Sequence, residues 1–316
     1  MKTITAFFKL IRWPNLVFIA ITQLLYYFAI YSPLKKNDNL HNTSYWLYLL
    51  ILASVCIAAA GYVINDYFDI KIDAINKPQK NVIDKIVKRR WAIIWHWILS
   101  SIGVIVSAYL SYKTNEKIIF IANFLCVVFL WFYSTTFKKK LLVGNVIIAT
   151  LTAWVLLVVY FYVGADVLMY KGFEMPHAYN NYHTRKLFKI TMLYVGFSFI
   201  ATLIREVIKD LEDMDGDRKY GCNTMPIAWG VPVTKMFTAV WIIVAVGLLS
   251  ALIVYAWLSG WWVAAIFVMA LIIFPFLYLL YKLFLAKTTM HFHHLSTTIK
   301  LIMLSGILSM GLFYYF

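Results

Sequence analysis

Long apolar stretches alternate with short polar segments along almost the whole chain. A membrane-spanning helix needs about 20 predominantly apolar residues, and the pattern predicts nine of them. The predicted spans are Asn15–Tyr31, Tyr45–Ile64, Trp91–Tyr112, Ile118–Ser134, Leu141–Val163, Ile190–Ile208, Met236–Leu258, Trp261–Phe284 and Thr297–Tyr315. We therefore expect an all-α membrane protein, a helical bundle in which a single domain covers residues 1–316.

The composition supports this fold class. Of the 316 residues, 63% are hydrophobic, and the mean hydropathy of +0.76 excludes an ordinary soluble domain. No removable signal peptide is evident, because the first apolar stretch is long and no small-residue cleavage site follows it.

Two acidic segments share one spacing and directly follow apolar stretches. NDYFDIKID (residues 65–73) is called the first signature and KDLEDMDGD (residues 209–217) the second. Each contains three aspartates in the pattern D-x2-D-x3-D: Asp66, Asp69 and Asp73 in the first, and Asp210, Asp213 and Asp217 in the second. Positions i, i+3 and i+7 of a helix lie on one face. A carboxylate at mid-bilayer costs about 2.5–3.5 kcal/mol, so the repeated pattern indicates a cation.

The distribution of charge predicts the topology. The net charge is +15, and a cytoplasmic N-terminus places most lysines and arginines in cytoplasmic segments, as the positive-inside rule requires. Both signatures then face the cytoplasm. The positive-inside rule and attraction to anionic membrane lipids explain most of the basic excess. They do not explain why lysines flank the aspartates, which a polyanionic substrate would. Nucleic acid is not an expected partner, because the sequence has no soluble basic domain to bind it.

The positions of the two signatures suggest an internal repeat. One ends the second predicted span and the other ends the sixth. We therefore expect two repeats of four helices each, plus a ninth helix. Repeats in membrane folds often place the functional site at their interface.

The acidic residues point to magnesium and a diphosphate. Mg²⁺ prefers oxygen ligands and often binds through carboxylates together with substrate phosphates. Two carboxylate clusters could hold two Mg²⁺ ions that clamp a diphosphate, and the metal charge would stabilise a departing pyrophosphate. Lysine and arginine would balance the remaining negative charge, and the apolar helices would accommodate a hydrocarbon tail. This combination predicts ionisation of a lipid-linked diphosphate.

Several nearby residues have more than one interpretation. Asn65 is either a turn residue or part of the metal shell, and Glu206 is a fourth ligand, a base, or a partner of Arg205 or Lys209. Lys138 follows the fourth predicted span and either anchors the topology or binds diphosphate.

Other residues near the predicted helix ends are either possible contacts of the substrate or surface residues. Tyr133 either stabilises an allylic cation through its ring face or lies at the membrane interface. Glu212 and Asp215 fall off the aspartate face and are expected to be solvated. The three clustered histidines are expected at the surface; they are His291, His293 and His294.

At these residues the chain resembles the UbiA superfamily of intramembrane prenyltransferases. NDYFDIKIDAINKP (residues 65–78) is similar to the family's N-D-x2-D-x3-D element followed by N-x-P, and the second signature resembles its D-x2-D-x3-D element. The nine-span layout also matches. Many members have Arg-Pro just after N-x-P, whereas this chain has Gln79-Lys80, which keeps a charge but lacks the bidentate guanidinium.

The resemblance implies an Mg²⁺-dependent enzyme that transfers a prenyl group from an isoprenyl diphosphate to a lipophilic acceptor. The residues implied to bind metal and support catalysis are Asn65, Asp66, Asp69 and Asp73 for one ion and Asp210, Asp213 and Asp217 for the other. The residues implied to contact the diphosphate are Lys77, Lys138, Lys209 and Arg205.

The second signature and its flanks also suggest a branch. Residues 205–227 have the form R-E-x2-K-D-x-E-D-x2-G-D, then G, then T-x-P. This resembles digeranylgeranylglyceryl phosphate synthases, whose acceptor is an isoprenyl glycerol phosphate. Together with the size of the chain, this resemblance implies the inner (cell) membrane of a prokaryote, and an organelle membrane stays open. Aromatic acceptors of the quinone-precursor or homogentisate type stay open. Two functions of other classes also stay open, a membrane transporter and a non-catalytic binder of lipid diphosphates.

Overall fold

A computed structural model describes residues 2–34, 43–76, 82–169 and 182–315 of the chain. Within these ranges nine helices are long and apolar enough to cross a membrane, and no β-strand occurs. The predicted all-α membrane fold with nine spans is therefore confirmed. The prediction of a single domain stays a prediction, and the predicted repeat of four helices is not confirmed.

The helices are, in chain order, α1 (Lys2–Leu10), α2 (Trp13–Leu34), α3 (Thr43–Phe68), α4 (Ile70–Asn76), α5 (Arg89–Thr114), α6 (Lys117–Thr135), α7 (Val143–Met169), α8 (Tyr182–Glu212), α9 (Met214–Lys219), α10 (Met225–Ala228), α11 (Val231–Leu258), α12 (Trp262–Leu285) and α13 (Thr289–Ser309). The spans are α2, α3, α5, α6, α7, α8, α11, α12 and α13. Two of them contain a π-helical segment, Tyr26–Tyr31 in α2 and Met269–Ile273 in α12. A 3₁₀ segment, Met310–Tyr315, follows α13.

The predicted boundaries differ most where polar residues continue a helix. α3 continues through Asp66, and α8 continues through Asp210, beyond the ends that hydropathy predicted. The last span begins at Thr289 instead of Thr297, because the histidine cluster is helical and the Thr288 side chain caps it by accepting from the His291 N–H. Hydropathy therefore locates the apolar part of a helix but ends it at the first polar turn.

The described chain divides into two compact units. The first unit comprises Met1–Tyr27, Tyr31–Phe137 and Trp154–Thr191, and the second comprises Phe28–Ile30, Lys138–Ala153 and Met192–Phe316. The first signature belongs to the first unit and the second signature to the second unit.

The first unit is built around α3 and α5. These helices approach closely at Gly103, where an added Cβ would lie 2.6 Å from Cγ1 of Ile57. A core of buried side chains from α1, α2, α3, α5 and the segment before α5 lies beneath the first signature; it consists of Leu10, Ile11, Leu16, Ala59, Val63, Ile83 and Ala92. The end of α3 is thus supported by the N-terminal helix as well as by α5.

The second unit surrounds the C-terminal half of α8. Buried side chains of α8, α11, α12 and α13 form one core, including Ile208 and Leu211 next to the second signature. A separate small cluster joins α7, α8 and α10 through Ala149, Leu203, Val207 and Met225. These contacts fix the end of α8, which carries Asp210.

Candidate active site

The first signature continues the hydrogen bonding of α3 through its end. Asp69 lies between α3 and α4, and its N–H donates to the Asn65 carbonyl at 3.0 Å. The Asp73 N–H in α4 then donates to the Asp69 carbonyl at 2.8 Å. The i to i−4 bonding is therefore retained, as the one-face prediction requires.

The second signature follows the same backbone path. Asp213 lies between α8 and α9, and its N–H donates to the Lys209 carbonyl at 2.9 Å. The Asp217 N–H donates to the Asp213 carbonyl at 3.2 Å. In both signatures a long helix ends, the middle aspartate marks the junction, and a short helix carries the last aspartate.

An amide supports the middle aspartate of the first signature. Nδ2 of Asn65 donates to Oδ2 of Asp69 at 2.8 Å, and Asp69 is only 3% exposed. Oδ1 of Asn65 is buried and has no partner among the described residues. An amide oxygen that lacks a donor beside a buried carboxylate suits a hard cation.

Arg12 provides a cation at the same signature. Its guanidinium lies 2.6 Å from Oδ1 of Asp66 and 5.1 Å from the centre of the Tyr62 ring. Burial is the largest single influence and lowers the pKa of Arg12. The Asp66 carboxylate, with smaller contributions from Tyr62 and Asp73, more than offsets burial, so the pKa is raised overall. The backbone of Arg12 is left-handed, with φ of 51°, a conformation that is uncommon for a residue other than glycine.

The second signature is supported by an amide from another helix. Nδ2 of Asn145, in the first turn of α7, donates to Oδ2 of Asp210 at 2.8 Å. Asn145 is 8% exposed, and Asp217 is 4% exposed. One carboxylate of each signature therefore accepts a hydrogen bond from a buried or half-buried asparagine.

Two glutamates at the second signature contact basic side chains. Glu206 is buried and pairs with Arg205, which is one of the interpretations left open for it. Glu212 was expected to be solvated, and this was wrong, because its side chain is 8% exposed and lies 2.8 Å from Nδ1 of His293. Asp215 is exposed as expected.

The other predicted site residues are distributed over several elements. Lys138 is half-buried in the 3₁₀ segment Phe137–Lys139, Tyr133 is half-buried near the end of α6, and Lys209 is half-buried on α8. Lys77 lies outside the described residues. The histidines His291, His293 and His294 are exposed, as expected of surface residues.

The donor set at each signature fits magnesium better than a soft metal. Across the described part of the chain, no three histidine, cysteine, aspartate or glutamate side chains lie close enough to hold a metal by themselves. Mg²⁺ usually keeps several waters and takes further oxygens from substrate phosphates. The carboxylates and the Asn65 oxygen match this partial, oxygen-only coordination.

Sequence reasoning missed three partners at the signatures. Asn145 lies 65 positions before Asp210 and Arg12 lies 54 positions before Asp66, so neither belongs to a local motif. The third is His293, which was assigned only to the surface. For Asn145 the available sequence signal was an asparagine within a predicted apolar span. An amide without a hydrogen-bond partner is costly in a membrane, so such a residue is expected to have a partner.

The chain matches known proteins over most of its length. The profile of the UbiA prenyltransferase family matches residues 38–297. A digeranylgeranylglyceryl phosphate synthase of Methanoregula boonei is 28% identical over 271 residues, which is 85% of this chain and 84% of that protein. A solved structure described for digeranylgeranylglyceryl phosphate synthase in membranes has a TM-score of 0.62 at 23% identity, covering 98% of this chain and 99% of the other.

A second solved structure shares the fold at lower identity. It is a UbiA homolog from Archaeoglobus fulgidus bound to DMAPP and Mg²⁺, with a TM-score of 0.55, 16% identity, and coverage of 96% of this chain and 98% of the other. The family profile, the relative and the shared fold agree with the two signatures. The chain is an integral membrane protein that belongs to the UbiA prenyltransferase family.

Proposed function

We propose that this prenyltransferase transfers a geranylgeranyl group from its diphosphate to geranylgeranylglyceryl phosphate. The observation that carries the proposal is the matching pair of signatures, each with its three aspartates on continuing helical backbone and an asparagine amide on one carboxylate. The acceptor is supported by the sequence form of residues 205–227 and by the name of the Methanoregula boonei relative. Membership of the family favours an enzyme over a transporter or a non-catalytic binder.

Two Mg²⁺ ions are proposed, and the residues that would hold them belong to both signatures. Those residues are Asn65, Asp66, Asp69, Asp73, Asp210, Asp213 and Asp217. Bound Mg²⁺ supplies positive charge that stabilises the leaving pyrophosphate. The Archaeoglobus fulgidus homolog was solved with DMAPP and Mg²⁺, which supports the same cofactor for this chain.

Basic and aromatic residues are proposed to assist the aspartates. Four basic residues bind diphosphate oxygens and balance the negative charge that Mg²⁺ does not neutralise; they are Lys77, Lys138, Lys209 and Arg205. Tyr133 presents its ring face to the allylic cation. The bond between the allylic carbon and the diphosphate oxygen breaks with both electrons on oxygen. The acceptor hydroxyl then forms the new carbon–oxygen bond and releases its proton.

The signatures are proposed to face the cytoplasm from the cell membrane of a prokaryote. This orientation follows from the positive-inside distribution of lysine and arginine. Both substrates carry phosphate head groups on isoprenyl tails, and a site at the membrane surface allows the tails to stay in an apolar environment.

A product assay with purified protein in nanodiscs tests the proposal. The protein receives Mg²⁺, geranylgeranyl diphosphate and one acceptor at a time, with geranylgeranylglyceryl phosphate, 4-hydroxybenzoate, dihydroxynaphthoate and homogentisate as the panel. We expect a prenylated glycerol phosphate by mass spectrometry, and its loss on adding EDTA. A prenylated aromatic product instead would overturn the acceptor, and product formed despite EDTA would overturn the role of metal.

A further inference from the structure

Asn145 donates a hydrogen bond to the second signature. Its Nδ2 donates to Oδ2 of Asp210 at 2.8 Å, and the residue is 8% exposed. A carboxylate only accepts hydrogen bonds, so the amide must turn its NH₂ group towards it. This bond fixes the plane of the Asp210 carboxylate and leaves its remaining lone pairs available to a cation.

The first signature contains a related contact within its own sequence, although this contact reaches the middle aspartate instead of the first one. Asn65 precedes the first aspartate, and its Nδ2 donates to Oδ2 of Asp69 at 2.8 Å. The corresponding position of the second signature is Lys209. Lysine donates through an ammonium group and has no amide. The amide at the second signature comes from Asn145 on α7, and it contacts the first aspartate, Asp210.

The backbone before Asn145 is held in a specific conformation. Leu142 has φ of 59°, a left-handed value that is unusual for a bulky residue and persists only where its surroundings enforce it. The same turn is tied to the segment after the second signature, because the Asn223 N–H donates to the Lys139 carbonyl at 2.8 Å. The start of α7 therefore has little freedom to move relative to this segment.

Packing below the turn holds α7 against α8. Ala149 on α7 and Leu203 and Val207 on α8 are buried in one cluster with Met225. Ala149 lies one helical turn after Asn145, and Val207 lies about one turn before Asp210. The hydrogen bond between Asn145 and Asp210 therefore lies next to the packed contact between α7 and α8, which holds the two residues in place.

We propose that Asn145 is a positioning residue for Asp210, which orients this carboxylate for the metal of the second signature. The proposal rests on the proposed function, because it requires that Asp210 binds metal. Removing a partner that orients a metal ligand typically lowers metal affinity by about 10–100-fold. Asn145 thus completes the second signature, although it lies outside the motif.

The test measures binding of Mn²⁺, a spectroscopic probe for the magnesium site. Purified protein in nanodiscs is titrated with Mn²⁺ by electron paramagnetic resonance, with geranylgeranyl thiolodiphosphate present as an unreactive substrate analogue. We expect Asn145→Leu to weaken Mn²⁺ binding by about 10–100-fold. Asn145→Gln keeps the amide and is expected to recover part of the affinity. Asn145→Ser carries the test if the leucine variant does not fold.

A double-mutant cycle tests whether Asn145 affects Mn²⁺ binding through Asp210 or independently of it. Asp210→Asn removes the carboxylate on which Asn145 acts, so adding Asn145→Leu to that variant should cause no further loss of Mn²⁺ affinity. Additive losses would overturn the proposal, because Asn145 would then act without Asp210.

A buried asparagine in the first unit provides a matched control. Asn123 donates Nδ2 to the Ser107 hydroxyl at 2.8 Å, and its Oδ1 accepts from the Trp154 indole at 2.8 Å. Asn123→Leu is expected to lower the thermal unfolding temperature but to leave Mn²⁺ affinity unchanged. Equal Mn²⁺ affinity in Asn145→Leu and the unmodified protein would overturn the inference alone. Failure of the unmodified protein to bind Mn²⁺ would overturn the proposed function and the inference together.

Discussion

The two signatures share a backbone path but differ in what holds their side chains. In the first, the amide that contacts Asp69 comes from Asn65, four residues earlier on the same helical stretch. In the second, the amide that contacts Asp210 comes from Asn145 on α7. The first arrangement follows from helical geometry alone, whereas the second exists only when α7 and α8 are packed together.

Basic side chains contact acids at both signatures. In the first unit, Arg12 pairs directly with Asp66, which is one of the three signature aspartates. In the second unit, Arg205 pairs with Glu206, one helical turn before Asp210, and Nδ1 of His293 lies 2.8 Å from Glu212, between Asp210 and Asp213. The contact of Arg12 thus reaches a predicted metal ligand, and the other two contacts reach glutamates next to predicted ligands.

Removing one central carboxylate from either signature should have the largest effect. We expect Asp69→Asn and Asp213→Asn each to lower turnover by about 1,000-fold or more, because several kcal/mol of charge stabilisation at the leaving group depends on the metal. Turnover is measured in nanodiscs with geranylgeranyl diphosphate and the acceptor that gives product in the panel assay. The matched control is Asp215→Asn, an exposed acid in α9 that should leave turnover nearly unchanged. Full activity in either central variant would contradict its assignment.

Asn65 and Asn145 should differ in the size of their effects. Asn65 has a buried oxygen without a partner among the described residues in addition to its donated bond, so Asn65→Leu removes a proposed ligand and an orienting donor together. We expect its loss of Mn²⁺ affinity to lie near 100-fold and that of Asn145→Leu nearer 10-fold. The two variants are compared by the same Mn²⁺ titration. A larger loss for Asn145→Leu would show that Asn65 does not act as a ligand.

The sequence was sufficient to predict the fold class and the motifs, because both depend on local patterns. Apolar stretches of span length predicted nine helices, and D-x2-D-x3-D predicted aspartates on continuing helices. Two helices were predicted to end before Asp66 and Asp210, because hydropathy falls at polar residues. Helical hydrogen bonding nevertheless continues through both aspartates.

The partners of the aspartates could not be predicted from local patterns. Asn145 and Arg12 approach their aspartates only through tertiary packing, and no spacing rule connects residues so far apart in sequence. Glu212 was assigned to solvent because it falls off the aspartate face. That face is not the only buried one, since α13 covers another side of α8 and brings His293 to Glu212.

Replacing Arg12 tests whether its cation competes with metal at the first signature. Arg12→Leu leaves Asp66 without its guanidinium, so we expect Mn²⁺ to bind several-fold more tightly in the absence of any diphosphate. The side chains of Arg12 and Asp66 are 33% and 22% exposed. The free energy of unfolding should therefore fall by only about 1 kcal/mol. Arg12→Lys keeps the charge and serves as the control. Weaker Mn²⁺ binding in Arg12→Leu would show that Arg12 supports the metal site instead of competing for it.

The contact between Glu212 and His293 should have the smallest effect of those considered. The His293 side chain is 49% exposed, and even a fully charged pair at such a site contributes only about 0–1 kcal/mol. We expect His293→Ala to change the thermal unfolding temperature slightly and turnover by less than about two-fold. Both are measured beside His294→Ala, an exposed neighbour on the same helix. A larger loss of turnover confined to His293→Ala would show that α13 also helps to orient the second signature, which would make this signature depend on tertiary contacts from two helices instead of one.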